Sequence, residues 1–522
     1  MQSWIHVLEW RASAHRDRTA VRDDRGTRLT YGELLDAVER RAGGWAALGI
    51  GDGDVVAVMA RNSADFLVHA LALMRSGAIP AFVNWRLAAP ELERLCALLT
   101  PVAAVADPAF TGTVDAAAPG LRARVAIGTA DGGWLPDTGL DAPPPPRPAE
   151  RLSATGVSGL MHTSGTTGRP KAIPLDNASL IRSLSGFAIE IGDQVPGSRH
   201  LQLMPLFHLA GFAQAMQCVL TAGELIVHGA FDPGAVVDAI EADRVEFFTA
   251  GPTLIDMLVA EVRGRPVRPD LSSLREIQYG SAPITPASLR AALDTLGCRF
   301  RQIYGNTECQ SFISLLHPDD HVPDGPHLAS AGNVTLGWEV RVVGPEGADV
   351  PPGEPGELLI RGDSLTTGYW RDPDATAAAF TPDGWYRTGD VVRIDADGYL
   401  FVVDRAKDMI ISGGENVFPA EVEAALAEHP DVAEVAVIGV PDERWGEAVH
   451  AVVVAVPGTA PGERELIAWI RDRIAHFKCP RSVEFAAALP RNATGKVVKT
   501  DLRNARRRPA RRPRRVEPRL PG

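Results

Sequence analysis

Only five cysteines occur among 522 residues, and they are scattered as Cys96, Cys218, Cys298, Cys309 and Cys479. No C-x-x-C pair joins any two of them, which argues against a disulfide framework or a zinc site and for a reducing compartment. The chain also lacks any run near the roughly 18 unbroken apolar residues of a membrane span. Its opening stretch, MQSWIHVLEWRASAHRDRTA, sets Trp4, Val7, Leu8 and Trp10 among charges, so the apolar centre of a secretory signal is missing. A cytoplasmic location without integral membrane association is expected. An excess of cations is absent too. The formal net charge is -12, whereas nucleic-acid binding draws on clustered Lys and Arg that displace phosphate counterions. No nucleic acid is expected as a partner, and small-molecule chemistry is the better reading.

What is present is an ordinary globular composition, 45% hydrophobic and 23% charged. Single cores stop growing at roughly 250 to 300 residues, so two or more domains are expected. Up to about residue 403, short Val/Ile/Ala-rich runs such as 55–60 alternate with amphipathic stretches such as 63–76. That alternation predicts an α/β fold of parallel sheets with helical crossovers. DAPPPPR at 141–147 is stiff and polyproline-like, and reads as a surface connection between two lobes. From 337 to 403 the Pro-Gly and Asp-Gly pairs at Pro352-Gly353, Pro355-Gly356, Asp383-Gly384 and Asp397-Gly398 predict small antiparallel β elements. The expected domains are 1–403, a separate C-terminal domain at 404–503, and a disordered basic tail at 504–522, where proline and like charges dominate.

The most informative stretch is MHTSGTTGRPKAIPL at 161–175. Thr163, Ser164, Thr166 and Thr167 offer hydroxyls, Gly165 and Gly168 let the backbone curl, and Lys171 adds a cation, which together are the parts of a phosphate cradle. Gly-Lys-Ser/Thr is absent and Pro170 precedes the lysine, so it is not a Walker A loop. His317 and His321 in HPDDH have a metal-like separation with Asp319 and Asp320 between them. Pro318 opposes the helix that would align the two imidazoles, and a surface loop is expected.

This stretch resembles the phosphate-loop signature of the adenylate-forming superfamily of acyl-CoA synthetases, peptide-synthetase adenylation domains and luciferases. Further matches follow in the family's order: YGSAP at 279–283, IYGNTE at 303–308, YRTGD at 386–390, DRAKDMIISGGENVFPAEVE at 404–423 and PRNATGKVVK at 490–499. The resemblance implies a large N-terminal domain of two doubly wound parallel sheets with a small β-barrel-like subdomain, followed by a small mobile α+β domain. It also implies ATP, Mg2+ and coenzyme A, with a carboxylic acid as substrate. Gly280, Ser281 and Ala282 would meet the adenine edge and Tyr304 its face, with Gly305, Asn306 and Thr307 beside them. Glu308 is the implied Mg2+ ligand, Asp390 would hold the ribose, and Arg405 would reach the sugar or phosphate. Lys496 would supply the cation for charge building on the transferred phosphate, and Thr163 belongs to the same catalytic set.

Lys407 falls at the family's hinge, after which Gly413 and Gly414 would line a thiol tunnel that Trp445 covers. Arg86 resembles an arginine that holds a coenzyme A phosphate, with a structural ion pair as the other reading. PLFHLAG at 205–211 resembles the acyl-pocket segment, with His208 as a gate. Gly211, Phe212, Met216, Ile303 and Phe312 would then make a largely apolar pocket for an aromatic, branched or medium-length acid. Ala172 departs from the glycine that commonly follows the loop lysine.

His208-Leu209 stands where amino-acid-activating relatives commonly carry Phe-Asp, which disfavours amino acids. Loading of an acyl-carrier protein is the alternative to coenzyme A, although the insertion typical of those relatives is not seen. A non-catalytic nucleotide sensor would fit the loss of Lys496, Glu308 or Asp390, and all three are present. The expectation is an ATP-dependent acid-thiol ligase, with a homodimer compatible with it.

Overall fold

Five consecutive apolar residues at Val55–Met59, three of them valine, are all buried, as a strand covered on both faces requires. The computed structural model describes residues 2–147, 152–164, 170–282, 284–310, 312–405, 408–412, 415–442, 445–471, 473–492 and 496–507. It divides into two compact units, one of Met1–Thr388 with Val392–Val402 and one of Gly389–Val391 with Val403–Gly522.

The first unit holds two large sheets. In one, Val55–Met59 lies between Ile79–Phe82 and Ala103–Ala106, both parallel to it. Val157–Ser164 continues the sheet on the Ile79 side, and Pro170–Asp176 turns back antiparallel at the edge. In the other, Arg199–Gln202 lies between Glu224–Val227 and Phe247–Ala250, again all parallel. Glu276–Gly280 and Arg299–Tyr304 extend it in the same direction. Each sheet therefore has a strand from which the chain winds first to one side and then to the other. In such sheets ligands bind beyond the carboxyl end of that strand. The expected parallel α/β architecture is present. The antiparallel expectation is met by a smaller sheet of Trp338–Val343, Gly356–Gly362, Tyr386–Ile394 and Leu400–Arg405.

Two local expectations are corrected. The helix Ala64–Ser76 starts on Ser63, whose hydroxyl accepts from the Phe66 N–H, and ends on Gly77 at φ 86. It is not amphipathic: every residue in it except Asp65 is buried, including His69 and Arg75. DAPPPPR does not join two lobes, because the strands on either side of it, Leu135–Pro136 and Val157–Ser164, belong to the same sheet. It lies along the helix Tyr31–Ala47, where Gly43 and Gly44 leave room. A Cβ on Gly44 would stand 1.3 Å from the Leu140 carbonyl oxygen, and one on Gly43 2.0 Å from that of Ala142. The Ala142 N–H donates to the Arg40 carbonyl at 3.1 Å, and Arg75 donates to the Pro145 carbonyl at 3.2 Å.

The second unit carries a sheet in which Val432–Asp442 and Gly446–Ala455 pair antiparallel, with Ser482–Phe485 added in parallel. Asp404 caps the helix Pro419–Ala427 by accepting from the Ala420 N–H at 2.9 Å. Inside, Glu423 meets Lys499 at 2.8 Å and accepts from the Val437 N–H at 2.6 Å. The tail expectation fails at its start. Residues 504–507 continue the helix Lys499–Arg507, because Arg503 pairs with Asp408 and Arg506 with Glu484. The rest of that tail lies outside the described residues.

Candidate functional site

The phosphate-loop segment is a hairpin, with Val157–Ser164 running out and Pro170–Asp176 running back. Its register sets Thr163 opposite Lys171 and Ser164 opposite Pro170, so Thr163 and Lys171 point to the same face. Gly165, Thr166, Thr167 and Gly168 lie outside the described residues. Pro170 thus starts a strand, and no helix follows the lysine directly.

Lys171 does not stand alone. Its ammonium lies 4.2 Å over the centre of the Tyr369 ring. The Tyr369 hydroxyl donates to Glu308 Oε1 at 2.9 Å, and the Tyr386 hydroxyl is 3.5 Å from that of Tyr369. Burial first, and the Glu308 charge second, push both phenols well above their usual range, so both are neutral donors toward a carboxylate. Glu308 is 8% exposed. No group of three or more His, Cys, Asp or Glu that could hold a metal occurs among the described residues. A single buried carboxylate fits Mg2+, which prefers one or two carboxylates with phosphate oxygens and water. Tyr369 was missed by sequence reading. Its only cue is a Tyr-Trp pair between Gly368 and Arg371-Asp372.

The strands Glu276–Gly280 and Arg299–Tyr304 run parallel with Gly280 opposite Ile303. A Cβ on Gly280 would lie 2.3 Å from the Ile303 carbonyl oxygen, so glycine permits the close approach that brings the two motifs' ends together. Ser281 follows at φ 68, and Ala282 ends the described part of that motif. Tyr279 is fully buried and serves as an anchor. His321 donates from Nδ1 to the His317 carbonyl at 2.8 Å, so its Nε2 accepts the Tyr279 hydroxyl at 3.0 Å. His321 is 6% exposed, so HPDDH is a tied support for the strand and not the plain surface loop expected. After Tyr304 and Gly305, Asn306 accepts the Cys309 N–H at 2.9 Å, and the Gln310 N–H donates to the Thr307 carbonyl at 3.1 Å. These bonds shape the turn that carries Glu308.

On the acid side, His208 caps the helix Leu209–Thr221 by accepting the Ala210 N–H at its Nδ1, at 3.3 Å. Burial pushes its imidazole down to about 4. His162, whose Nε2 accepts the Asn84 N–H at 3.1 Å, is also pushed down to about 4, by burial and then by His208. Both rings are neutral near pH 7. Gly211 lets the helix sit against its own entry loop, since a Cβ there would be 2.2 Å from the Pro205 carbonyl oxygen. Ile303 and Phe312 share an apolar cluster with Phe187, whose ring is 4.9 Å from that of Phe312. Phe212 and Met216 are fully buried, and Phe212 packs 4.7 Å from Phe82.

Asn62, also missed from the sequence, closes this region. It follows the switch strand of one sheet. Its side chain donates to the Met204 carbonyl at 3.2 Å and accepts the Leu206 N–H at 2.8 Å, on the loop after the switch strand of the other.

Arg86 lies with its guanidinium 4.5 Å over Trp85. In the second unit, Asp390 is 2% exposed and Arg405 ends a strand. The Trp445 backbone N–H donates to Asp442 Oδ1 at 2.9 Å, and the Arg481 guanidinium lies 5.0 Å from the Trp445 ring centre. Lys496 is exposed, with its N–H on the Asn492 side chain at 2.9 Å and its carbonyl accepting from the Asn492 N–H at 2.8 Å. Lys407, Gly413 and Gly414 lie outside the described residues.

A phosphate-loop lysine, a buried carboxylate and two strand-end motifs thus meet at the carboxyl ends of parallel strands. Comparison with known proteins agrees in kind. Feruloyl-CoA synthase of Amycolatopsis sp is 41% identical over 96% of this chain and 98% of that protein. Indoleacetate--CoA ligase of Aromatoleum aromaticum is 38% identical over 96% and 98%. The solved structure of o-succinylbenzoate CoA synthetase from Bacillus subtilis with its acyl-adenylate intermediate superposes with TM-score 0.81 and 28% identity, over 96% of this chain and 98% of that one. The family model for AMP-binding enzymes matches residues 8–370 and that for their C-terminal domain residues 421–496. The chain belongs to the AMP-binding enzyme family of adenylate formers.

Proposed function

We propose that the protein is an ATP-dependent carboxylic acid-CoA ligase whose acid carries an aromatic ring. A substrate carboxylate oxygen attacks the α-phosphorus of ATP, the bond to pyrophosphate breaks, and an acyl-adenylate forms. The coenzyme A thiolate then attacks the acyl carbon, and AMP leaves. The observation that carries the reading is the row Lys171, Tyr369, Glu308, in which a cation and a buried carboxylate flank one ring beside the phosphate hairpin. The nearby Phe187 and Phe312 rings support an aryl acid, as do the ring-bearing acids in the two relatives' names.

In this reading Thr163, Ser164, Gly165, Thr166, Thr167, Gly168 and Lys171 hold the phosphates. Gly280, Ser281, Ala282, Tyr304, Gly305, Asn306 and Thr307 hold the adenine end. Asp390 and Arg405 take the ribose. Glu308 would hold Mg2+, which when bound neutralises phosphate charge. Neutral His208 separates the nucleotide from an acid resting on Gly211, Phe212, Met216, Ile303 and Phe312. Lys496 stabilises charge in adenylation, Lys407 is the pivot between the two reactions, and Gly413, Gly414, Trp445 and Arg86 serve coenzyme A.

The test is pyrophosphate release across aryl, branched and straight-chain acids, with coenzyme A, with a phosphopantetheinyl carrier protein, or with neither. Aryl acids with coenzyme A should give acyl-CoA and AMP. Pyrophosphate release with acyl transfer only to the carrier protein would replace coenzyme A as acceptor. No release with any acid would reject the ligase reading.

A further inference from the structure

A short segment, residues 366–370, is tied at its two ends to two parts of the site. The Thr366 N–H donates to the Glu308 carbonyl at 2.8 Å, and the Trp370 N–H donates to the Ala172 carbonyl at 2.8 Å. Between them Gly368 takes φ 146, where a Cβ would stand 2.5 Å from the Thr376 methyl carbon. Thr376 Oγ1 accepts the Tyr369 N–H at 2.9 Å. Three backbone N–H donors and one glycine therefore fix the direction of a single side chain. Its ring lies under the Lys171 ammonium, and its hydroxyl donates to Glu308.

We propose that Tyr369 is a positioning residue that sets the phosphate-loop lysine and the metal-binding carboxylate for nucleotide, one through its ring and the other through its hydroxyl. This rests on the reading of Lys171 as a phosphate cation and Glu308 as the Mg2+ ligand. Two opposite charges on one partly buried site attract, and a direct Lys171-Glu308 pair would take both from the nucleotide. An aromatic ring gives the ammonium a resting place without neutralising it. A charge-assisted hydrogen bond from the phenol orients the carboxylate without removing its charge.

The two contacts separate by substitution. Tyr369→Phe keeps the ring and removes the hydroxyl, whereas Tyr369→Leu removes both. Mn2+ binding to the ATP-loaded full chain, read by the loss of its free EPR signal, should weaken about tenfold in Tyr369→Phe, the order expected for a lost hydrogen bond to a charged group. ATP binding without metal, read by calorimetry, should stay within about twofold in Tyr369→Phe and weaken about threefold or more in Tyr369→Leu. In a Glu308→Gln background, Tyr369→Phe should change Mn2+ binding no further, since the two act as one unit. Wild-type Mn2+ affinity in Tyr369→Phe, or an additional loss in the Glu308→Gln background, would overturn the proposal. If Tyr369→Leu fails to fold, the Phe comparison and the cycle decide alone. A wild-type protein that binds Mn2+ with ATP but releases no pyrophosphate with any acid would reject the ligase reading and leave the role of Tyr369 standing, whereas one that binds no Mn2+ with ATP would overturn both.

Discussion

At the residue scale, Asn62 acts through what it holds. Its amide satisfies one carbonyl and one N–H on the loop that leads into His208, and all three groups are buried. Without that amide the Met204 carbonyl keeps its bond from the Gln202 side chain but the buried Leu206 N–H loses its acceptor, which costs about 1 to 3 kcal/mol. Asn62→Ala should therefore raise KM for the acid several-fold while KM for ATP moves little, and a KM for ATP that rises in step would show that the loop serves both ligands. Lys496 is the opposite case, a side chain whose proposed value lies only in a transition state. Lys496→Ala should slow adenylation about 10²- to 10³-fold, the cost of roughly 3 to 4 kcal/mol for a lost charge stabiliser. Thioester formation from ready-made acyl-AMP should be much less affected. Equal loss in both half-reactions, measured separately, would remove Lys496 from that role.

At the scale of elements, the polyproline segment is held against the helix Tyr31–Ala47 by an absence of side chains. A Cβ on Gly44 would overlap the Leu140 carbonyl, so Gly44→Ala must push strap and helix apart. Overpacking of this kind costs about 1 to 3 kcal/mol. The variant should unfold at a lower temperature and be cut faster near 141–147 under limited proteolysis, and an unchanged cleavage rate would mean that the strap is not seated there. The same segment shows why some elements were legible and others not. Proline forbids helix and central strand from local chemistry alone, so its extended form is readable. Its destination depends on Gly43 and Gly44, some hundred residues earlier. Glu308 was marked by a motif, but Tyr369 and Asn62 act across 61 and 142 residues of chain, and no local pattern records such a meeting. The helix Ala64–Ser76 was misread because its polar residues, His69 and Arg75, are buried with partners. His69 meets Asp137 at 3.4 Å and Arg75 meets Glu39 at 2.8 Å.

At the scale of the whole molecule, several histidines are buried as neutral rings. His162, His200, His208 and His321 are each pushed down to about 4, with burial the first cause in all four. In the unfolded chain the same rings titrate near 6.5. Above that value neither state binds the proton and the histidines leave stability unchanged. As pH falls from about 6.5 toward 4, the unfolded chain takes up protons that the folded protein refuses, so the unfolded state gains and stability drops. The thermal midpoint should therefore decline steadily over that window, before most carboxylates titrate. His200 gives the cleanest check, because it stacks on Phe247 at 5.2 Å and lies outside the candidate site. Its buried Nε2 has no hydrogen-bond partner among the described residues, so replacing the ring removes a titrating group without breaking a bond at that nitrogen there. His200→Gln should show a shallower fall in midpoint between pH 6.5 and 4 than wild type, whatever its midpoint at pH 7. Parallel curves for the two proteins would mean that this ring takes up its proton in the folded state, and burial would not be holding it neutral.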